Sequence, residues 1–146
     1  MVVYLSYNTA GSNNLAGLKQ LLVAHRPDYV FMQEVSATKE QMEAHLGRSY
    51  CCQVNLDPEN PNQPGSAVAW RSSMEVMVTP VVPCRLQTVK SVHGSFINIY
   101  ANTGTKGEAA RRLLFSRDLV GLVAVDPSAV MVGDWNCIIC QRASVR

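Results

Sequence analysis

The order of periodicities along this chain constrains its fold more than any other feature: strand, helix, strand, helix, and then strands in succession. Val2 to Tyr7 is a short run rich in β-formers, broken by the small and polar group from Thr9 to Asn14. Past Asn14, Leu15, Leu18, Leu21 and Leu22 recur at the spacing of one helical face, with Asn13 or Ser12 available as N-cap and Pro27 closing the helix from beyond its end. Tyr29 to Met32 is again compact and apolar and ends in Gln33-Glu34. Thr38 and Gln41 then have the spacing of a capping box, and Gly47 fits the stop of a second helix. Such alternation argues for an α/β or mixed layered domain over an all-α or all-β one.

The middle of the chain changes character. Pro58, Pro61, Pro64 and Gly65 punctuate a loop, after which Ser66 to Trp70, Val76 to Val82 and Ser95 to Ala101 all read as strands, and consecutive strands without helices suggest antiparallel pairing. A third helix is expected from Lys106 to Val123, its apolar face marked by Ala110, Leu113, Leu114 and Val120; Asp126-Pro127 then introduces a strand from Ala129 to Val132. With 47% hydrophobic residues in 146, the chain has the core of a single domain, residues 1–146.

Composition narrows the partners. No run of 18 or more apolar residues exists, and the start lacks a basic region before Ser6 and Asn8, so neither a membrane association nor a secretory signal is expected. Five irregularly placed cysteines do not form a disulfide framework, which points to a reducing, intracellular location without choosing between nucleus and cytoplasm. A net charge of +2 does not by itself imply nucleic acid, so any polyanion site must be local.

Three apolar strands run straight into a polar residue: Asn8, Glu34 and Asp134. Open α/β sheets bind ligands beyond the carboxyl ends of their strands, so these residues are expected to converge. An amide and two carboxylates are hard oxygen donors, suited to Mg2+ or Mn2+ and poorly suited to zinc. Taken singly, each is an ordinary strand end meeting solvent. Their weight comes from the surrounding text, in order: Ser6-Tyr7-Asn8-x-x-Gly11, Pro27-Asp28-x-x-x-x-Gln33-Glu34, Asn98-Ile99-Tyr100-Ala101 and Gly133-Asp134-Trp135-Asn136.

These blocks resemble the endonuclease/exonuclease/phosphatase superfamily, which includes abasic-site repair endonucleases, DNase I and the endonuclease domains of non-LTR retrotransposons. Gly133-Asp134-Trp135-Asn136-Cys137 looks closest to the retrotransposon branch. The resemblance implies a four-layer α/β sandwich, two central sheets flanked by helices. It also implies a metal-dependent endonuclease or phosphodiesterase with DNA as substrate and Mg2+, or Mn2+, as cofactor; no protein partner is implied. By position, Glu34 is implied as the principal metal ligand with Asn8 beside it, and Asp134 as the group that holds or activates the attacking water. Asn136 is implied to hydrogen-bond the scissile phosphate, and Tyr100 to place its hydroxyl on that phosphate or on the leaving oxygen. The family also contains phosphatases of inositol lipids and sphingolipid phosphodiesterases, an alternative substrate class.

Two departures stand out. The family's downstream Asp and its Ser-Asp-His motif lie well beyond the Gly-Asp-x-Asn block, whereas the ten residues after Asn136 contain no His, Asp or Glu. The fold is therefore expected to be incomplete at its C-terminus, with an exposed edge in the second sheet, and turnover to fall by about 10²- to 10⁴-fold, the usual cost of a missing general acid or base. A non-catalytic remnant or nucleic-acid-binding module is the corresponding alternative. Asn102 stands where the family often has proline, which bears on loop stiffness. His25, His45 and His93 read as helix-end or surface residues and receive no role. Cys137-x-x-Cys140 lacks both the following helix of a redox motif and the further ligands of a zinc site. Lys106, Arg111, Arg112 and Arg117 read as the solvated face of their helix.

Overall fold

A computed structural model of the chain describes residues 1–11 and 13–136. The first half folds as β1 (Tyr4–Gly11), α1 (Leu15–His25), β2 (Tyr29–Val35), α2 (Lys39–Leu46), β3 (Tyr50–Asn55) and β4 (Gly65–Arg71). The second half supplies β5 (Val76–Val82), β6 (Leu86–Ser91), β7 (Gly94–Tyr100), α3 (Glu108–Leu113), α4 (Val120–Val125) and β8 (Val130–Asp134). One sheet has the order β1-β2-β4-β3 and the other β5-β6-β7-β8. Among the described strands the pairs β1 with β2 and β7 with β8 are parallel and the rest antiparallel.

Strand alternation explains the layers. On β2, Val30 and Met32 face one way and pack with Ala67, Ala69, Leu18, Leu22, Met42 and Leu46, which is the contact of α1 and α2 with the first sheet. Tyr29 and Phe31 face the other way and meet Val68, Val89 and Phe96 between the two sheets. On β7 the odd positions Ile97 and Ile99 turn outward to Leu114 and Leu119. The result is helix, sheet, sheet, helix, the four-layer sandwich that the family resemblance implies. Each fully buried aliphatic or aromatic side chain contributes about 1.5–3 kcal/mol.

Local signals behave as their chemistry dictates, with two corrections. Thr38 and Gln41 form a reciprocal cap: Gln41 N–H donates to Thr38 Oγ1 at 3.3 Å and Thr38 N–H to Gln41 Oε1 at 2.9 Å. At the start of α1 the cap position is Asn14, not Asn13, and its side chain makes no capping bond; Ser12 lies outside the described residues. Asn14 is instead held by its carbonyl, which accepts from Tyr7 Oη at 2.9 Å and from Leu18 N–H at 3.0 Å. The third helix begins at Glu108 and passes through a π-helical turn, Leu114–Leu119, before α4. That turn moves the buried face: Leu114 and Leu119, five apart, are buried, while Leu113 and Val120 are 52% and 59% exposed.

Among the described residues β8 is an edge strand, with Val130 and Met131 exposed on it. No helix there is long and apolar enough to cross a membrane. Cys51, Cys52 and Cys84 are free thiols; Cys137 and Cys140 lie outside the described residues.

Candidate active site

The carboxyl ends of β1, β2, β7 and β8 meet at one end of the sandwich, because β2 and β7 run in the same direction across the sheet interface. Tyr29 at the start of β2 donates its hydroxyl to Ser91 Oγ, just before β7, at 2.7 Å. At the other end Gln33 Nε2 donates to Asn98 Oδ1 at 3.1 Å. Tyr100 and Asp134 end β7 and β8, Asn136 follows β8 by two residues, Glu34 is one residue from the end of β2, and Asn8 is where the regular pairing of β1 with β2 breaks.

Asn8 and Glu34 come from the first sheet and are bonded to each other, Asn8 Nδ2 donating to Glu34 Oε1 at 2.9 Å. Asn8 is oriented in turn by Ala10 N–H, which donates to its Oδ1 at 2.8 Å. Glu34 occupies a β-bulge: Gln33 pairs with Ser66 and Val35 with Gly65, leaving Glu34 as the extra residue with φ of 56°. Simple alternation places Glu34 on the face of Val30 and Met32, toward the helices. The bulge turns it out at the sheet end instead. Buried Thr9 anchors the bulge, its hydroxyl bonding to the carbonyls of Gln33 at 3.1 Å and Glu34 at 2.9 Å.

Tyr100 and Asp134 are register partners on β7 and β8 of the second sheet. Asp134 Oδ1 accepts from Asn136 N–H at 2.9 Å, and Asn136 Nδ2 donates to Ala101 O at 2.8 Å, so the short turn after β8 is folded back on β7. Close packing of these strands requires Gly133, where φ is 139° and an added Cβ would meet Ile99 O at 1.9 Å.

The two halves sense each other electrostatically. Burial raises the pKa of the Tyr100 phenol above its ordinary value, and the negative charges of Glu34 and Asp134 add to the rise, while Arg85 opposes it. Tyr100 thus remains a protonated donor at neutral pH, with carboxylates from both sheets around it. Glu34 Oε2 and Asp134 Oδ2 carry no hydrogen bond from the described residues. No group of three or more His, Cys, Asp or Glu side chains gathers among those residues. A cation here would be limited to one or two carboxylates and water, hard oxygen donors that suit Mg2+, since Asn8 turns its Nδ2 and not its oxygen toward Glu34.

Several residues that build this site have no role legible in the sequence. Arg85, in the turn before β6, lies over the Tyr100 ring. Nothing local in the sequence marks it, because β6 itself was not legible. Asn98 and Gln87 are buried polar residues between the sheets; an asparagine inside the apolar run of β7 is the signal that was available. The basic residues of the third helix do not face the site as a group: Arg111 staples the carbonyls of Asn102 and Gly104, while Arg112 and Arg117 pair with Glu108 and Asp118. His93 contacts Tyr29 at the opposite end of the sandwich.

Comparison with known proteins agrees with this fold. The profile of the Endonuclease/Exonuclease/phosphatase family matches residues 5–143. No curated protein matches the chain by sequence. Among solved structures, an AP endonuclease from Archaeoglobus fulgidus superimposes with a TM-score of 0.70 at 22% identity, over 93% of this chain and 58% of that one. AP endonuclease LMAP from Leishmania major gives 0.69 at 12% identity, over 91% and 54%. D. rerio TDP2 complexed with single strand DNA product gives 0.67 at 19% identity, over 94% and 62%. At these identities the likeness is one of fold, and the chain spans less than two thirds of the length of each of these structures.

Proposed function

The chain belongs to the endonuclease/exonuclease/phosphatase family, and from this premise we propose that it is a divalent-metal-dependent phosphodiesterase domain that hydrolyses phosphodiester bonds of DNA. The observation that carries the reading is the meeting of two half-sites, Asn8–Glu34 from one sheet and Tyr100–Asp134–Asn136 from the other, around a single phenol. In-line attack on a phosphodiester needs an oriented water, hydrogen bonds to the developing charge on phosphorus oxygens, and a neutralised leaving oxygen.

The family is generally dependent on divalent metal ions. Glu34, with Asn8 beside it, would hold Mg2+ or Mn2+, and the ion would supply neutralisation of the phosphate and of the leaving oxygen. Asp134 uses its open Oδ2 to hold and activate the attacking water, since Oδ1 is committed to Asn136 N–H. Asn136 keeps its second amide hydrogen for a phosphate oxygen. Tyr100, kept protonated by burial, donates its hydroxyl to the phosphate or leaving oxygen. DNA is favoured as the substrate class by the DNA product named with the TDP2 structure and by the AP endonucleases that share the fold. The Gly133-Asp134-Trp135-Asn136-Cys137 text favours a retrotransposon-derived nuclease within that class.

The test is nicking of supercoiled plasmid in the presence of Mg2+ by the wild-type chain, Glu34→Ala and Asp134→Ala. Metal-dependent nicking by the wild type and its loss in both variants is the expected result. Equal background nicking in all three sinks the proposal.

A further inference from the structure

We infer that the buried pair Gln33–Asn98 is the positioning device that holds the two half-sites in register; the inference rests on the phosphodiesterase reading above. Asn8 and Glu34 belong to one sheet, Tyr100, Asp134 and Asn136 to the other or to the turn that follows it, and among the described residues no ladder of backbone hydrogen bonds joins the two sheets. What lies between them is largely apolar: Tyr29, Phe31 and Val68 against Val89 and Phe96. Apolar contact is non-directional and does not by itself fix how far one sheet slides along the other.

Hydrogen bonds do fix it: Tyr29 Oη to Ser91 Oγ at the far end, Asn55 Nδ2 to Val82 O at 2.9 Å from β3, and the Gln33–Asn98 amides directly beside the half-sites. Gln33 is 2% exposed, and Asn98 and Gln87 are fully buried. Asn98 Oδ1 accepts from Gln33 at 3.1 Å, while Asn98 Nδ2 donates to Ala67 O at 3.0 Å and Gln87 Oε1 at 3.2 Å, with Met32 O at 3.4 Å. Gln33 Oε1 accepts from Ser6 Oγ at 3.4 Å, and Gln87 Nε2 donates across to Gln53 O at 3.2 Å. β1, β2, β3 and β4 are thereby tied to β6 and β7 through amides. Amides are costly to bury, and an apolar core fills the same space without that cost, so what they add here is direction.

Their placement ties that direction to the site. Gln33 is the residue before the bulged Glu34, and Asn98 precedes Tyr100 by two positions, on the same face of β7. Tyr100 in turn is in register with Asp134. A slide of one sheet on the other therefore moves Glu34 relative to both Tyr100 and Asp134 at once. A misplacement of about 1 Å between reacting groups costs about 100-fold in rate.

The experiment uses Gln33→Met, Asn98→Leu and the double variant in the full chain, reading Mg2+-dependent nicking, Mn2+ affinity by calorimetry, and thermal unfolding. Both single variants are expected to lose about 100-fold in kcat. Mn2+ affinity should stay at the wild-type value, because Asn8 and Glu34 lie on one sheet. The double variant removes the Gln33 amide that Asn98→Leu alone leaves without its partner, so it should regain part of the Tm lost by Asn98→Leu, while Gln87 Oε1 and Ala67 O lack their donor in both. It should nevertheless remain as slow as they are. A purely structural role predicts the opposite, with rate returning as Tm returns, and that result overturns the inference, as does a wild-type rate in any folded variant. A wild-type chain that nicks no faster than Glu34→Ala removes the phosphodiesterase reading itself, and the inference with it; that failure is seen in the wild type, before any of these variants is compared.

Discussion

The guanidinium of Arg85 lies over the ring of Tyr100, its Cζ 4.7 Å from the ring centroid, and Tyr100 N–H donates to Arg85 O at 2.9 Å. A cation on the face of the ring restrains its rotation and favours the ionised phenol, against burial and the carboxylates that oppose ionisation.

Arg85→Met should therefore raise the Tyr100 pKa further. Burial, Glu34 and Asp134 all push it up, and only Arg85 is removed. Titration of the Tyr100 Cζ resonance by 13C NMR, with Tyr100→Phe to assign it, checks this. A downward shift would show that the guanidinium does not act on the phenol.

Asn8→Ala removes the 2.9 Å hydrogen bond that orients Glu34 while leaving the carboxylate in place. Loss of a hydrogen bond to a metal-holding side chain costs about 10- to 100-fold in metal affinity. Calorimetric titration with Mn2+ should show a loss in this range, and a larger one for Glu34→Ala.

Gly133→Ala sets a methyl group 1.9 Å from Ile99 O at a φ of 139°. Both the clash and the dihedral disfavour it, so β8 must move away from β7. A destabilisation of about 3 kcal/mol or more is expected in urea unfolding. The pairing of Tyr100 with Asp134 should be lost with it, and no side-chain rearrangement can relieve a clash with backbone.

Burial pushes the Cys52 thiol up to about 11 from its ordinary value. The folded state thus keeps this proton at pH values where the unfolded chain releases it. The sign follows: the contribution to stability is intact below about pH 8.5, the ordinary thiol value, and is lost as pH rises toward 11. Urea midpoints measured from pH 8 upward should fall, and Cys52→Ala should flatten part of that fall. At pH 8, a thiol reagent should label exposed Cys51 and reach Cys52 only on unfolding.

Much of the fold was legible because its elements are locally consistent. The leucines of α1, the Thr38–Gln41 cap and the β2 run each have one reading. β3 and β6 were not legible, for a shared reason. β3 is an edge strand, Tyr-Cys-Cys-Gln-Val-Asn, with little apolar alternation to see. β6 buries Gln87 where periodicity demands an apolar residue, because Asn98 and Gln53 satisfy it from neighbouring strands. The third helix misled in another way: spacing of three and four selected Leu113 and Val120, but the π turn selected Leu119.

The sequence by itself determined which residues are candidates for the site. Strand ends point to Asn8, Glu34 and Asp134, and the resemblance of the flanking text to the family adds Tyr100 and Asn136. Only the tertiary structure decided how those groups meet. Glu34 points outward because a left-handed bulge, anchored by Thr9, reverses its face. Its sheet is joined to that of Tyr100 and Asp134 by amides buried between the two, with no backbone ladder across them among the described residues. Neither is a local preference. Both depend on partners 24 or more residues away in the chain, which no window of sequence contains.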